Sequence, residues 1–454
     1  MSENDHLSRN RIDYSILGII KLTLPLIISA LSSNIMYIVD RFMLAKYSVD
    51  SMNAAALGGN MVAALGYIFK SIAHVAEVYV GQDNGAQNYK KLAEPVWQMI
   101  YLSLFSAIIF IPAGYFSNYL NLFPEYYMKE GVEYQGFVLP FEFVSCVCIA
   151  FAAFFIGQGK TILVTIAFFV SNVLNIFLDY ILIFGIEDMI PSYGCKGAAI
   201  ATVISSIVQT IILGVVFFNR YNRENYNTCN YRFNKELFKS CCRTGIPISI
   251  GRFLGIIAWY IVYVAISHVS KDLATIHGIG VGVYLTFFFF ADGFGKAVST
   301  LASNLIGMKN IEGIKRILRI FLYMTACVSV VIMFFLIIYP EILLTFLNDQ
   351  SGSLTRLYSE IKLVFMLYTV IIIIDTLSSV IYGVLLAGGD TKYPSIINIS
   401  FFWGVVVIPV VILYFLGLLN NVGTVQILSI IWTGATLFFI YRRYKTLKWY
   451  NSLI

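Results

Sequence analysis

Long apolar stretches dominate the hydrophobic pattern, and each is long enough to cross a membrane as a helix. Such a helix needs about 20 mainly apolar residues, and the short alternating blocks typical of membrane strands are missing from the sequence. The pattern predicts an all-α integral membrane protein with twelve transmembrane helices, at residues 16–45, 52–81, 92–118, 136–158, 162–185, 195–219, 243–268, 275–306, 317–340, 359–388, 394–417 and 422–442.

The twelve spans fall into two sets of six that share sequence elements. The motif GAQNYKK at 85–91 recurs as GMKNIEG at 307–313, with the same offset as Pro25 and Pro247, and GKT at 159–161 recurs as GDT at 389–391. Halves with an even number of spans have the same orientation and are related by an axis along the membrane normal. We predict two pseudo-symmetric six-helix bundles: an N-terminal lobe at 1–220, a cytoplasmic linker and hinge at 221–242, and a C-terminal lobe at 243–454.

Composition and charge agree with a membrane protein and predict its orientation. Only 12% of the residues are charged and 59% are hydrophobic, with a mean hydropathy of +0.79, whereas soluble domains contain about 25% charged residues. Basic residues concentrate in the N-terminal segment, the even-numbered connections and the C-terminal tail. The odd-numbered connections contain only Lys46, Lys129, Lys271 and Arg356, with Lys196 at the boundary of the fifth connection and the sixth span. The positive-inside rule therefore predicts a cell (inner or plasma) membrane protein with both termini in the cytoplasm. We expect a monomer among membrane lipids, with no nucleic-acid partner.

Acidic residues inside the first, fourth and fifth spans are the strongest functional candidates. Ionisable groups in a membrane are costly and usually face the bundle interior. At 1.5 Å per residue, Asp40 lies roughly 7 Å and Asp179 roughly 9 Å from the external ends of their spans, and Glu142 is expected at a similar depth. Asn175 lies one turn from Asp179, and Tyr37 shares a helix face with Asp40. The five residues Asp40, Asp179, Asn175, Glu142 and Tyr37 form a predicted coupling site.

Two kinds of ion suit this predicted site, and a structural role is the alternative. Neighbouring carboxyl groups can share a proton, and carboxylate and amide oxygens are ligands that a hard cation accepts. A bound H⁺ or a Na⁺ ion held by Asp40, Asn175 and Asp179 is therefore predicted. The alternative is a polar network that only joins helices.

Other charged residues fall inside the predicted spans as well. Asp375 lies more than halfway along an apolar run without a nearby basic residue, which indicates a substrate contact or a second coupling site. Asp292 and Lys296 are one turn apart and are predicted to form an ion pair. A third polar face, for which packing is the favoured role, contains Lys70, His74 and Glu77.

Enzyme signatures are absent from the sequence. It contains no HExxH, no phosphate-binding GxxxxGK[ST] and no GxSxG motif. We therefore expect neither an enzyme nor a cofactor beyond a bound H⁺ or Na⁺. Without a nucleotide site, active transport would depend on an ion gradient.

Several segments resemble one transporter family along nearly the whole chain. LPLIISALSSNIMYIVDRFML in the first span, GQDNGAQNYKK after the second, LNIFLDYILIFG and GCKGAAIATVIS in the fifth and sixth, and IIDTLSSVIYGVLLAGGDTKYP with the later IPVVI are similar to the multidrug and toxic compound extrusion (MATE) transporters. The order and spacing of the segments are kept. The resemblance implies a twelve-helix antiporter that exports bulky, often cationic organic compounds in exchange for Na⁺ or H⁺.

The resemblance also implies roles for particular residues. The acidic residues of the family's N-lobe correspond to Asp40 and Asp179, with the associated asparagine at Asn175, and the aspartate of its tenth helix corresponds to Asp375. One branch carries a glutamate where this chain has Gly255. That departure favours the N-lobe residues as the coupling site.

Two other functions remain open at the level of sequence. A flippase for a lipid-linked precursor uses similar bundles of twelve to fourteen helices, and it predicts basic residues in the cavity, for which Lys70 and Arg252 are the candidates. A receptor or scaffold predicts large soluble loops, and the connections in this chain are short.

Overall fold

The computed structural model describes residues 12–119, 128–186, 189–341 and 357–446. Within these ranges it does not describe the side chains of Ser33, Asn34, Ile35, Tyr37, Asn118, Tyr119 and Met128. The described backbone is helical, and an isolated antiparallel bridge joins Ile186 and Ile190.

The helices follow one another through short connections. In the first part of the chain they are α1 (Ile16–Tyr47), α2 (Val49–Ala73), α3 (Ala76–Gly85), α4 (Ala93–Tyr115), α5 (Met128–Val138), α6 (Glu142–Gly157), α7 (Thr161–Phe184), α8 (Gly194–Phe217) and α9 (Arg220–Tyr226). The second part contains α10 (Lys235–Val269), α11 (Lys271–Gly307), α12 (Ile311–Met333), α13 (Tyr358–Ala387), α14 (Lys392–Phe401), α15 (Ile408–Phe415) and α16 (Val422–Lys445).

The number of membrane-spanning helices agrees with the sequence pattern. Among the described residues 11 helices are long and apolar enough to cross a membrane, and Ile16–Ser32 adds a shorter apolar stretch within α1. Some predicted spans consist of two helices in series, such as α2 with α3 and α5 with α6. The prediction of an all-α membrane fold with twelve spans is confirmed.

The backbone repeats the sequence elements found in the two halves. Gln87 and Lys309, which occupy equivalent positions in the first repeated motif, both adopt left-handed conformations, with φ of 62° and 57°. Gly159 and Gly389 in the second motif have φ of 77° and 74°. Left-handed backbone is uncommon for residues other than glycine, so its recurrence at equivalent positions indicates that the turns themselves are repeated.

The described chain divides into two compact units. The division falls between Ile250 and Gly251, inside α10, and the segment Ser303–Lys309 at the end of α11 belongs to the first unit. The core of the second unit is formed by large apolar side chains such as Phe365, Tyr368 and Phe402. Smaller buried clusters stabilise the first unit, one of them around Phe110 and Leu139.

The polar connection after α8 is attached to the first unit. Trp97 Nε1 donates a hydrogen bond to the Thr228 carbonyl at 2.9 Å. Gln98 Nε2 donates to the Arg232 carbonyl at 3.2 Å, and Gln98 Oε1 accepts from the Asn234 amide at 3.1 Å. The connection expected to act as a hinge is therefore fastened to the first unit up to Asn234.

A wide helical turn precedes the proline of the eleventh span. A π-helical turn at Phe402–Val407 joins α14 to α15, immediately before Pro409. Proline lacks an amide hydrogen and its ring collides with the carbonyl one turn earlier. The wider turn accommodates both effects, since π-helical turns insert a residue without ending the helix.

Candidate functional site

The candidate site lies between α1 and α7. Hydrogen bonds from threonine hydroxyl groups on α7 to backbone carbonyls on α1 connect the two helices. Pro25 interrupts the hydrogen bonding of α1 because it lacks an amide hydrogen. Thr161 Oγ1 donates to the Leu22 carbonyl at 3.0 Å, and Thr165 Oγ1 donates to the Pro25 carbonyl at 2.8 Å. These contacts satisfy backbone acceptors around the proline and hold α7 against α1.

A second polar contact joins the same helices further along. Asn172 Nδ2 donates to Ser32 Oγ at 2.6 Å. Ser171, the preceding residue, donates through Oγ to the Ser205 carbonyl at 2.8 Å and so connects α7 to α8. The polar residues in the first half of α7 are therefore hydrogen-bonded to their neighbours.

The next polar level of α7 differs, because its side chains have no partner in the described residues other than the Asp40 carboxyl group. Asp179 and Asn175 are completely buried, with 0% exposure. Both carboxylate oxygens of Asp179, both polar atoms of Asn175 and Oδ1 of Asp40 are buried without a hydrogen-bond partner. The carboxyl groups of Asp40 and Asp179 lie within hydrogen-bonding reach of each other.

This arrangement needs a proton or a cation. Two carboxylates in contact inside a membrane cannot both remain charged without compensation. A shared proton would supply a hydrogen bond between Asp40 and Asp179, and a Na⁺ ion would use the same oxygens together with Asn175 Oδ1. The buried atoms without partners fit either ion.

Residues from α1, α2 and α5 surround the cluster. Arg41 donates to the carbonyls of Met52 at 3.1 Å and Ala55 at 3.4 Å, so its guanidinium group is engaged with α2. Tyr134 from α5 lies beside Asp40 and Arg41. The sequence pattern did not single out Tyr134, because this residue precedes the predicted start of the fourth span at 136 and was assigned to a connection.

One predicted site residue, Glu142, stands apart from this group. Glu142 lies near the middle of the span Lys129–Gly157 rather than close to its external end, and it forms an ion pair with Lys70. The depth predicted for Glu142 assumed a span that begins at residue 136, whereas the helical segment begins at Lys129. The side chain of Tyr37 lies outside the described residues.

The second unit contains the other predicted acidic residue. Tyr284 donates to Asp375 Oδ2 at 2.9 Å. Tyr284 also packs against Tyr368, with ring centroids 5.9 Å apart, and Gln426 Nε2 donates to the Tyr368 hydroxyl at 3.2 Å. Asp375 is thus half-buried and bonded to a tyrosine that packs against a second one, a chemical setting that suits an organic cation.

Aromatic side chains continue from this carboxylate. Trp259 lies 6.4 Å from the Tyr284 ring and 5.3 Å from Phe402, and the rings of Phe402 and Trp432 stack at 4.2 Å. Gly255, one turn before Trp259, has open space where a side chain would project. In the same unit the predicted ion pair between Asp292 and Lys296 is present, at 2.7 Å.

Known proteins resemble this chain in sequence. The MatE family model matches residues 25–181 and 247–413. The probable multidrug resistance protein NorM of Thermotoga maritima is 26% identical over 400 residues, which cover 85% of this chain and 82% of that protein. The probable multidrug resistance protein YoeA of Bacillus subtilis is 25% identical over 341 residues, covering 73% of this chain and 72% of that protein.

Solved structures share the fold at lower sequence identity. A MOP superfamily transporter from Pyrococcus furiosus superposes with a TM-score of 0.79 at 17% identity, over 95% of this chain and 96% of that chain. The eukaryotic MATE transporter AtDTX14 gives a TM-score of 0.78 at 16% identity, over 95% of each chain. Because the family model matches well over half of the sequence, the chain belongs to the MatE family of multidrug and toxic compound extrusion transporters.

Proposed function

We propose that this protein is a secondary antiporter that exports bulky, often cationic organic compounds in exchange for H⁺ or Na⁺. Asp40, Asn175 and Asp179 bind the coupling ion. The observation that carries the proposal is the contact between Asp40 and Asp179 on two helices that are otherwise hydrogen-bonded to each other. Both oxygens of Asp179 and Oδ1 of Asp40 are buried there without a hydrogen-bond donor in the described residues.

Coupling follows from what the ion does to α1 and α7. Without the ion, the two carboxylates repel each other at a point where the helices meet. With a proton or Na⁺ bound, the repulsion becomes attraction, and α1 is drawn towards α7. An ion that binds the two arrangements of α1 with different affinity shifts the equilibrium between them, and a substrate with the opposite preference is then exchanged for it.

Asp375 serves in this proposal as a substrate contact or a second coupling site in the C-terminal half. Its carboxylate carries the charge that an organic cation needs, and the neighbouring rings of Tyr284 and Trp259 offer cation–π contact. The concentration of basic residues in the even-numbered connections supports an orientation with both termini in the cytoplasm, the side from which exported compounds would be taken up.

The test is dye uptake into inside-out vesicles under separately imposed H⁺ and Na⁺ gradients, because export from the cytoplasm becomes uptake in that orientation. Wild-type protein is compared with Asp179→Asn, which keeps the shape of the side chain and removes the charge. Asp50→Asn is the matched control, because Asp50 is exposed in the first turn of α2. We expect ethidium transport by the wild type and the control under one of the gradients, and a loss of at least about tenfold in Asp179→Asn, within the range of typical coupling energies.

Two outcomes would contradict different parts of the proposal. If folded wild-type protein moves no cationic dye under either gradient, antiport of organic cations is wrong and the flippase alternative gains support. If Asp179→Asn transports as well as Asp50→Asn does, transport stands and the position of the ion site is wrong.

A further inference from the structure

An ion pair in the first unit is not used by the coupling site. Lys70 on α2 pairs with Glu142 at the start of α6, and both lie near the middle of their spans, Val49–Gly85 and Lys129–Gly157. Glu142 has only 5% of its side chain exposed, whereas Lys70 has 25% exposed. The positive partner is therefore the accessible one.

The backbone of α2 is shaped to admit the carboxylate. A Cβ atom at Gly66, one turn before Lys70, would overlap Glu142 Oε1. Glycine in a helix interior costs about 0.5–1 kcal/mol relative to alanine. Here that cost has a structural reason, because the missing side chain leaves the space in which the Glu142 carboxylate reaches Lys70.

The ion pair lies beside a polar stripe on α2. Asn53, Asn60, Tyr67 and His74 recur every second turn, and Asn60 and Tyr67 are exposed. Polar and charged side chains that faced lipid at this depth would be costly. The exposed polar groups therefore favour water over lipid on this face of α2, and the exposed quarter of the Lys70 side chain is the part that a dissolved molecule would reach.

The chemistry of the pair selects one kind of ligand. A plain anion that takes Lys70 leaves Glu142 buried and without compensation, and a plain cation that takes Glu142 leaves Lys70 without a counter-charge. Leaving one partner of a buried pair alone is strongly unfavourable. A zwitterion replaces both contacts at once, because its carboxylate pairs with Lys70 and its cationic end pairs with Glu142.

We propose that Lys70 and Glu142 form a recognition site for zwitterionic organic substrates, by exchange of the internal ion pair for two pairs with the substrate. This inference rests on the proposed export function and names a substrate class for it. The site lies in the first unit and is separate from the contact between Asp40 and Asp179.

The test uses a rhodamine dye with a free carboxylate and the methyl ester of the same dye. The first is a zwitterion and the second a cation of nearly the same shape. Transport of each into inside-out vesicles is measured for wild type and for Lys70→Met combined with Glu142→Gln. The double variant removes both charges, so neither is left alone, and its folding is checked by size-exclusion chromatography and thermal unfolding.

We expect the wild type to have a half-saturation concentration several-fold lower for the free acid than for the ester. In the double variant the value for the free acid should rise at least about tenfold, as expected for a lost charge pair, while the ester value stays within about twofold. Gly66→Ala, which changes no charge, should weaken transport of the free acid in the same direction.

The possible failures are distinguishable. If the wild type transports the ester and the free acid equally well, or if the double variant affects both dyes equally, the recognition site is wrong and the export function stands. If the wild type transports neither dye nor ethidium, the export function itself has failed. The comparison of the two dyes on wild-type protein tests the recognition site even if the variants do not fold.

Discussion

Two asparagines one turn apart on α7 have opposite surroundings. Asn172 donates to Ser32 Oγ at 2.6 Å, whereas neither polar atom of Asn175 has a partner in the described part of the chain, although Asn175 is completely buried. A buried polar group without a partner costs about 1–3 kcal/mol. Without a ligand, Asn175 is therefore expected to reduce the free energy of unfolding.

This contrast predicts that Asn175→Leu and Asn172→Leu change stability in opposite directions. In Na⁺-free buffer Asn175→Leu should keep or raise the thermal unfolding temperature, because it removes an unsatisfied amide. Asn172→Leu should lower it, by about 1–3 kcal/mol of unfolding free energy, because it leaves Ser32 without its partner. Ion-driven dye efflux should be lost in Asn175→Leu despite the intact fold.

A structural role for Asn175 predicts a different result. If Asn175→Leu destabilises the protein as much as Asn172→Leu does and still transports, then Asn175 has partners in the membrane that replace an ion. The pair of variants separates the two interpretations because residue type, helix and substitution are the same.

At this scale the sequence predicted what lies within one helix better than what lies between helices. The spacing of Asn175 and Asp179 placed them on one face of α7. Asp40 was recognised as a site residue because a charged side chain inside a membrane span is energetically costly. Hydrophobic pattern holds no information about lateral distance between spans. The pairing of Glu142 with Lys70 and the position of Tyr134 beside Asp40 therefore appear only in three dimensions.

At the scale of helices, two glycines from the repeated motifs make equivalent contacts. A Cβ atom at Gly85 would overlap the carbonyl oxygen of Asn304, and one at Gly307 would overlap the carbonyl oxygen of Gln82. Gln82 and Asn304 have the same offset as the glycines. The end of α3 and the end of α11 therefore cross with a local two-fold relation, backbone against backbone, inside the first unit.

The crossing predicts that Gly85→Ala and Gly307→Ala each destabilise the protein. Extra atoms in a close-packed contact cost about 1–3 kcal/mol, and here they meet backbone, which cannot rotate away. Gly434→Ala on α16 is the control: nothing lies within 4 Å of its added Cβ, and removal of a helical glycine should gain about 0.5–1 kcal/mol. Thermal or denaturant unfolding in detergent measures all three.

The double variant tests whether the two glycines share one contact. Once Gly85→Ala has pushed the helices apart, Gly307→Ala should add less than its single-variant cost, since neighbouring sites are not additive. Fully additive effects would mean that the two positions are independent. An effect of Gly85→Ala no larger than that of Gly434→Ala would contradict the close crossing itself.

At the scale of the whole molecule, repetition made the fold predictable. Two sets of six spans, a repeated loop motif and the charge distribution led to twelve helices in two halves, and the left-handed turns at equivalent positions agree with this duplication. The connection between the halves was harder to interpret. Its polar composition indicated a hinge at 221–242. Hydrogen bonds to backbone groups, which composition does not encode, fasten the part up to Asn234 to the first unit.

This attachment predicts that Gln98 protects the connection from proteolysis. Gln98 is completely buried and makes hydrogen bonds to both Arg232 and Asn234, and two such bonds contribute about 1–3 kcal/mol together. Cleavage of a segment that opens briefly follows its opening free energy. In Gln98→Leu, trypsin should therefore cut after Arg232 or Lys235 about 5 to 150 times faster than in wild type.

The same experiment tests the predicted orientation. Trypsin added to inside-out vesicles should cut the connection in Gln98→Leu, and trypsin added to intact spheroplasts should not, because basic connections stay in the cytoplasm. Gln209→Leu, the same change within α8, controls for a general loss of stability. Equal cleavage of both variants would show that Gln98 does not hold the connection. Cleavage only in intact spheroplasts would show that the orientation is the reverse of the predicted one. That second outcome would also place Asp40 and Asp179 near the cytoplasmic side, so that the coupling ion would enter from inside.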